Sequence, residues 1–410
     1  MFATSTVSSE VIDSSAAWWR LAATLAMATL GGIGMWSVVV ALPAVQADFG
    51  VDRGSASLPY TLTMVGFGFG GILMGRLTDR YGVTRPLVGA TLALAAGYVL
   101  AGLAPSLFMY ALAQGLLIGF LGSSATFGPL LADISHWFER RRGLAVSIVA
   151  CGNYLAGTVW PPIVQHLIET IGWRQTHITI GLFCLVTMLP LTLALRRRSP
   201  AGHTNSAVPT VRDTHVSLGV SPRALQALLV IAGLACCVAM SMPQVHIVAY
   251  CGDLGYGAAA GAQMLSLMLG FGIVSRLASG WIADHIGGVR TLLLGSSLQA
   301  IALLLYLPFD SLWSLYVVSA LFGLFQGGIV PSYAIIIREY FAPREAGARV
   351  GLVVMATLFG MALGGWMSGE VFDLTGSYRA AFINGIAWNL LNLSIVIWLL
   401  RRPVAPAVQA

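Results

Sequence analysis

Long apolar runs separated by short polar segments dominate the chain from about residue 18 onward. Each run has roughly 20 residues, which is enough for a helix to cross a hydrocarbon core about 30 Å thick. The runs cover residues 18–45, 57–76, 84–104, 107–135, 142–168 and 175–195, and then 223–250, 258–282, 289–309, 312–338, 347–371 and 379–400. The pattern therefore predicts an all-α integral membrane protein with 12 transmembrane helices.

The longest polar segment lies between the sixth and seventh runs and is rich in Ser, Pro, Thr and Arg. This composition is typical of a linker. The sequence therefore predicts an N-terminal six-helix bundle over residues 1–195, a cytoplasmic linker over 196–222, and a C-terminal six-helix bundle over 223–410.

Composition supports the membrane assignment, because 57% of the 410 residues are hydrophobic and only 9% are charged. A soluble protein would carry charge on about a quarter of its residues. Every basic side chain other than histidine is arginine, so the net charge of +6 indicates topology and not nucleic-acid binding. The five cysteines lie in apolar runs without metal-ligand spacing, and we expect no metal, disulfide or cofactor.

Arginines cluster in alternate loops of the predicted topology. The loops after spans two, four and six carry Arg76, Arg80, Arg85, Arg140, Arg141, Arg142, Arg196, Arg197 and Arg198. By the positive-inside rule both termini are cytoplasmic, and the expected location is the cell inner (plasma) membrane. The tail before the first span carries Glu10 and Asp13 without a cationic segment, so we do not interpret it as a signal peptide.

The two halves repeat each other. GRLTDRYGVTR (75–85) matches GWIADHIGGVR (280–290) about 205 positions later, and ETIGWRQT (169–176) is echoed by DLTGSYRA (373–380). HWFERRRG (136–143) is likewise echoed by EYFAPREAG (339–347). Duplicated halves with a substrate path at their interface are a transporter architecture.

The first of these motifs resembles the loop between helices two and three of major facilitator superfamily transporters. The matching positions are Gly75, Asp79, Arg80, Gly82 and Arg85, with Gly280 and Asp284 in the second copy. The resemblance implies the major facilitator fold and a cytoplasmic gating motif. In it, Gly75 allows close helix approach, Asp79 faces a helix N-terminus, and Asp133 is an acid that Arg80 and Arg85 can pair with.

Three further segments resemble the monocarboxylate transporter branch of that superfamily. They are WFERRRGLAVSIVACG (137–152), VHIVAYCGDLGY (245–256), and the pattern GxxxRxxxGxxxD formed by Gly272, Arg276, Gly280 and Asp284. In that branch the arginine of span eight binds the substrate carboxylate, so the resemblance implies this role for Arg276. It also implies proton-coupled transport of small organic anions such as lactate or pyruvate.

Arg276 is the most informative single residue, because a guanidinium in an apolar span costs several kcal/mol if it faces lipid. It lies eight residues before Asp284, about 12 Å along a helix. Gly272, Arg276 and Gly280 share one helix face, which favours a tight helix contact or an open cavity over lipid. A planar guanidinium suits a carboxylate, although snorkelling to the interface remains the alternative.

Other side chains within the spans are candidate substrate contacts, and each could instead serve packing or structural hydrogen bonding. They are His246, Phe127, Asn153, Tyr154 and Tyr333. Pro243, three residues before His246, predicts a local break in span seven.

Two departures from the branch bear on coupling. The chain contains no lysine, whereas animal members carry one in span one, and Gly272 stands where they have an aspartate. Organic-anion exchange of the oxalate/formate type therefore stays open beside proton symport, as do a drug/proton antiporter and a non-transporting membrane sensor. The sequence has no Walker-A loop, nucleophile elbow or paired-carboxylate site, so we expect no enzyme activity.

Overall fold

The computed structural model describes residues 12–196, 216–217, 220–402 and 405–406. Most of the predicted linker and the first 11 residues lie outside this part of the chain. The chain divides into two compact units: unit 1 comprises Met1–Gly50 and Leu58–Ser206, and unit 2 comprises Val51–Ser57 and Ala207–Ala410.

The described residues are almost entirely helical. Up to residue 196 the α-helices are α1 (Ser15–Gly31), α2 (Ile33–Phe49), α3 (Arg53–Tyr81), α4 (Thr84–Gly102), α5 (Leu107–Leu112), α6 (Gly128–Ser135), α7 (Arg142–Ala150) and α8 (Gly152–Ala194). A π-helix (Ala113–Gly122) and a 3₁₀ turn (Ser123–Thr126) connect α5 to α6. In a bilayer, helices satisfy their own backbone polar groups, which explains why the apolar runs adopt this form.

The second half of the chain continues in the same way. Its helices are α9 (Pro222–Asp253), α10 (Ala258–Ile286), α11 (Gly288–Leu305), α12 (Leu312–Gln326), α13 (Ile329–Tyr340), α14 (Pro343–Thr375) and α15 (Tyr378–Leu400). A short antiparallel ladder pairs β1 (Val216–Ser217) with β2 (Ala405–Pro406).

Serine side chains begin many of these helices. The hydroxyl oxygens of Ser14, Ser106, Ser221, Ser311 and Ser377 each accept a hydrogen bond from a backbone N–H in the first turn that follows. Such a cap satisfies one of the four N–H groups that have no partner within the helix. The polar residues at the ends of the apolar runs therefore fix where the helices start.

The number of spans agrees with the sequence prediction once one kink is considered. Among the described residues, 11 continuous segments are long and apolar enough to cross a membrane. One of them, Arg142–Ala194, covers two predicted spans. Gly172 has φ 78° and ψ 157° inside this segment, a non-helical conformation that divides it. The twelve-helix prediction is confirmed.

The internal repeat is visible in the backbone of four glycines. Gly82 and Gly287 occupy equivalent places in the repeated motif and have φ of 77° and 81°. Gly172 and Gly376, in the other echoed pair, have φ of 78° and 66°. Residues with a Cβ rarely adopt a positive φ, so glycine permits the turn at each of these four positions. The second pair shares only φ, because ψ is 157° at Gly172 and 15° at Gly376.

Adjacent glycines on α3 offer a test of helix packing in unit 1. A Cβ at Gly70 would collide with the carbonyl oxygen of Phe120, whereas one at Gly71 would meet nothing within 4 Å. We expect Gly70→Ala to lower the free energy of unfolding by about 1 to 3 kcal/mol through overpacking. Gly71→Ala should leave it unchanged or raise it by up to about 1 kcal/mol, because alanine favours helix.

Thermal unfolding of the two purified variants in the same detergent provides the measurement. Equal melting temperatures for the two variants would contradict this packing of α3 against the π-helix.

Candidate functional site

Helix interruptions come together in the middle of unit 1. The first span is interrupted at Gly32, the fourth around Ser123–Phe127, and the fifth at Cys151. The Ser123 hydroxyl donates to the Gly31 carbonyl at 2.9 Å, which joins the first and fourth spans. A Cβ at Gly32 would lie 2.6 Å from the Cβ of Ala156, which brings the fifth span against the first. Interrupted helices at membrane depth are typical of substrate sites in transporters.

The break in the fourth span exposes Phe127. Its φ of −125° and ψ of −85° are not helical, and Pro129 follows at the start of α6. The ring is only half-buried and lies 6.2 Å from the ring of Phe67. Because a proline lacks a backbone N–H, the first turn of α6 is a favourable place for it. The predicted pocket residue Phe127 thus lies directly at the junction.

Asn153 and Tyr154 follow the break in the fifth span. The Trp36 indole N–H donates to the backbone carbonyl of Asn153 at 3.1 Å, which fixes this turn against the first span. Among the described residues, the buried amide oxygen of Asn153 has no hydrogen-bond partner. Tyr154 is buried within unit 1. A buried amide oxygen with spare acceptor capacity can accept a hydrogen bond from a small polar ligand or water.

In unit 2, Arg276 lies on the side of α10 that is turned away from its exposed apolar face. Phe271, Val274 and Trp281 mark that face, with exposures of 40%, 54% and 66%. At about 100° per residue, Arg276 lies about 140° to 160° around the axis from each of them. Leu277, which is 50% exposed, lies about 100° away from it. Arg276 lies about 15 Å along the axis from Ile286, the last residue of the helix. The backbone of Arg276 therefore lies deep in the span, on a side of α10 away from its most exposed apolar residues.

The glycines that share a helix face with Arg276 have different surroundings. A Cβ at Gly327, in the break between α12 and α13, would collide with the carbonyl oxygen of Gly272. A Cβ at Gly280 would meet no described atom within 4 Å. Gly272 thus forms the tight helix contact that the sequence allowed, and Gly280 lies beside open space. This contact holds α10 in place one turn before Arg276.

Tyr333 belongs to a buried polar cluster in unit 2. Its hydroxyl donates to the Asn392 side-chain oxygen at 3.1 Å, and the Asn392 amide donates to the Ser296 hydroxyl at 2.7 Å. The Asn389 amide donates to the Ser296 carbonyl at 2.9 Å. Tyr333 is almost completely buried. These bonds connect α11, α13 and α15. Tyr333 therefore holds three helices together, and its hydroxyl is already used in this contact.

His246 is fully buried on α9 and both ring nitrogens have protein partners. Nε2 lies 2.7 Å from the Gly365 carbonyl oxygen, and Nδ1 lies 3.3 Å from the Tyr378 hydroxyl. Since only an N–H can bond to a carbonyl, Nε2 carries the proton and Nδ1 accepts from Tyr378. The predicted break at Pro243 is wrong, because α9 continues through it from Pro222 to Asp253. The neighbouring α14 and α15 bury this helix face and support it.

The repeated gating motif lies at an exposed end of each unit. Asp79, Arg80, Gly82, Arg85 and Asp284 are all exposed. The described residues include no ion pair to Asp79, Arg85 or Asp284. The expected close contact at Gly75 is wrong for this structure, since a Cβ there would meet no described atom within 4 Å. Packing within unit 1 therefore does not require a glycine at position 75.

The proposed partners of Asp133 are also corrected by the structure. Asp133 is buried and accepts two hydrogen bonds from Arg20, from Nε at 2.8 Å and from Nη2 at 2.9 Å. The Arg20 guanidinium in turn lies 4.3 Å from the ring centroid of Trp137. Arg20 is closer to Asp133 than Arg80 or Arg85, because α1 packs directly on α6. No sequence pattern indicates a pair separated by 113 residues.

Arg53, which was not among the predicted site residues, organises one end of unit 2. Its Nη1 and Nη2 each donate to the Asp253 carboxylate at 3.2 Å. Nη1 also donates to the Tyr378 hydroxyl at 2.6 Å, and the guanidinium lies 4.8 Å from the Phe372 ring centroid. The Arg53 side chain is only 8% exposed. The only signal in the sequence was that Arg53 is an isolated arginine in a predicted loop that also carries Asp48 and Asp52.

Two carboxylates cap the N-terminus of α3, where Arg53 lies. The Asp373 carboxylate accepts from the backbone N–H of Arg53 at 3.0 Å and of Gly54 at 2.6 Å. Asp52 accepts from the backbone N–H of Ser55 at 2.7 Å. Hydrogen bonds from the Ser55 hydroxyl and N–H lower the pKa of Asp52 below its usual value. Segment Val51–Ser57 is thereby docked on the rest of unit 2 through its backbone as well as through Arg53.

Comparison with known proteins gives matches to one family of membrane transporters. A model of the Major Facilitator Superfamily matches residues 24–309 and 273–410. Monocarboxylate transporter 13 of Bos taurus is 30% identical over 339 residues, covering 81% of this chain and 77% of that protein. Its Rattus norvegicus counterpart is 32% identical over 341 residues, covering 81% and 76%.

Solved structures support the fold. The bacterial homologue of the human lysosomal transporter Spinster, in an inward-facing and occupied conformation, has a TM-score of 0.75 at 14% identity and covers 94% of this chain and 97% of its own. The nucleoside transporter NupG has a TM-score of 0.74 at 12% identity and covers 93% and 100%. At these identities the likeness concerns the fold alone.

Proposed function

Because the chain belongs to the Major Facilitator Superfamily, and is therefore a membrane transporter and not an enzyme, we propose that it carries small monocarboxylates of the lactate or pyruvate type. The mechanism would be alternating access, in which two six-helix halves rock about a substrate site. We propose proton symport across the cell inner (plasma) membrane, with both termini in the cytoplasm. The likeness to monocarboxylate transporters 13 and 11 supports the substrate class.

The position of Arg276 is the observation that carries this proposal. It lies deep in α10 and away from the most exposed apolar residues of that helix, which supports a partner other than lipid. A guanidinium stays charged at every cellular pH and offers parallel N–H donors that match a carboxylate. An anionic substrate is therefore favoured over a cationic drug.

We also propose that residues of unit 1 contact the substrate. We assign the half-buried Phe127 ring to the apolar side of a small acid. The unpartnered amide oxygen of Asn153 would accept a hydrogen bond from a hydroxyl group, with Tyr154 next to it. Tyr333 would act indirectly, by holding α13 through Asn392.

We also propose that the repeated motif controls the cytoplasmic side during transport. Its exposed Asp79, Arg80, Arg85 and Asp284 are available for ion pairs in another state of the cycle. Gly82 would contribute the sharp turn that presents these charges. The Asp133–Arg20 pair would hold α6 in place within unit 1.

Uptake of labelled lactate into proteoliposomes tests the proposed function. We expect uptake that increases when the outside is more acidic than the lumen, and that unlabelled pyruvate inhibits. Uptake that requires an anion inside the vesicle and ignores the pH gradient would instead indicate organic-anion exchange of the oxalate/formate type. Flux of cationic drugs, or binding without any flux, would overturn the proposal in favour of an antiporter or a sensor.

A further inference from the structure

A continuous chain of polar contacts in unit 2 connects a histidine to a carboxylate at the surface. It begins at the Gly365 carbonyl, passes through His246 and the Tyr378 hydroxyl to Arg53, and ends at Asp253. Each link has one possible donor: His246 Nε2–H, the Tyr378 O–H and the Arg53 N–H groups. The chain therefore requires a neutral imidazole whose Nδ1 accepts the tyrosine hydrogen.

Protonation of His246 would break this arrangement at Tyr378. A protonated Nδ1 can only donate, so the tyrosine hydrogen would have to point elsewhere. No other described residue accepts it, and a buried donor without an acceptor is costly. Tyr378 would then have to accept from two cations, which places two positive charges around one buried hydroxyl.

The charged groups around His246 determine whether a positive charge on its ring can be balanced. Arg53 on α3 and Asp373 on α14 act on it electrostatically, and Tyr378 on α15 is the titratable group that contacts it. Asp253, on α9 itself, and Asp373 are both bound to segment Val51–Ser57. If Arg53 leaves with this segment, Asp253 loses its cation and Asp373 loses two backbone N–H donors. A protonated His246 can then replace the missing positive charge.

We propose that His246 is a proton-binding site whose protonation and the docking of Arg53 exclude each other, with Tyr378 connecting the two. Proton binding favours release of segment Val51–Ser57 from the rest of unit 2, and docking of the segment expels the proton. The two effects are equal in size because linkage between binding events is reciprocal. The inference rests on the proposed function for its role, which is to couple proton movement to the transport cycle.

Backbone hydrogen exchange of residues 51–57 measures docking without any substrate. We expect their exchange, corrected for the intrinsic effect of pH, to rise about tenfold between pH of about 7.5 and about 5.5 in the wild type. His246→Gln, whose amide can still donate to Gly365, should remove this rise. Tyr378→Phe should also remove it, because the connection to Arg53 is lost.

Matched variants keep the test decisive if a substitution disturbs folding. His177→Asn replaces the other histidine that is fully buried among the described residues, in unit 1, and should retain the rise. Gly369→Ala would place a Cβ 2.9 Å from the Arg53 carbonyl oxygen and the Gly54 Cα, and should give rapid exchange at both pH values. No rise in the wild type, or an unchanged rise in His246→Gln with a wild-type melting temperature, would overturn the inference.

Transport measurements separate this inference from the proposed function. If the wild type moves lactate with protons and His246→Gln loses only its pH dependence, the proposed function and the proton site are both supported. If lactate flux is absent but the exchange results hold, the proposed function fails and the proton site stands. If proton-driven accumulation is unchanged in His246→Gln, the proton site fails alone.

Discussion

Replacing Arg276 with alanine is expected to reduce monocarboxylate flux by about 100-fold or more at subsaturating substrate. A bidentate pair between a guanidinium and a carboxylate contains two charge-assisted hydrogen bonds, and losing both costs enough free energy for this factor. Arg276→Lys keeps the charge but not the planar donor pair, so we expect a loss of about tenfold. Initial rates of lactate uptake at several concentrations provide the measurement.

Arg223→Ala is the matched control for this prediction. It removes the same charge from an exposed position in the first turn of α9, where the described residues show no ion pair to it. We expect its flux to equal that of the wild type at equal amounts of reconstituted protein. Undiminished flux in Arg276→Ala would show that the carboxylate is held elsewhere, even if transport itself is confirmed.

The apolar pattern predicted the spans well because a bilayer imposes a minimum helix length and leaves little choice of backbone structure. The predicted fourth run, 107–135, coincides with the start of α5 and the end of α6. What the pattern did not predict is the path between those ends, where a π-helix and a 3₁₀ turn replace the α-helix. Hydropathy depends on side chains alone. It therefore cannot predict the change in backbone hydrogen bonding next to Phe127, where the α-helix gives way to a π-helix and a 3₁₀ turn.

Charged residues were harder to interpret from sequence, because their partners are set by tertiary packing. Arg276 could be selected, since a charge deep in a span is conspicuous by itself. Arg53 lies in a short polar loop at a helix start, and its partners Asp253 and Tyr378 are 200 and 325 residues away. His246 was identified as a candidate, but its hydrogen bonds to Gly365 and Tyr378 could only come from the arrangement of three helices.

Removing the acidic member of the buried Arg20–Asp133 pair is expected to have the largest effect on stability. Asp133→Leu should lower the free energy of unfolding by about 3 to 5 kcal/mol, because it leaves the guanidinium buried without its carboxylate. The pair is well shielded, with side-chain exposures of 5% and 9%. The double variant Arg20→Met/Asp133→Leu should recover most of the loss, since it buries no unpaired charge. Chemical unfolding in a fixed detergent mixture provides the measurement.

The Arg174–Asp48 pair of unit 1 is the control that isolates burial as the cause. Its N–O distance of 2.8 Å equals that of the Arg20–Asp133 pair, but its side chains are 36% and 43% exposed. Asp48→Leu should therefore change the free energy of unfolding by no more than about 1 kcal/mol. If Asp133→Leu were as mild as Asp48→Leu, water would have to reach Arg20 in solution. If the double variant were no more stable than Asp133→Leu, the loss would come from the shape of the site and not from the unpaired charge.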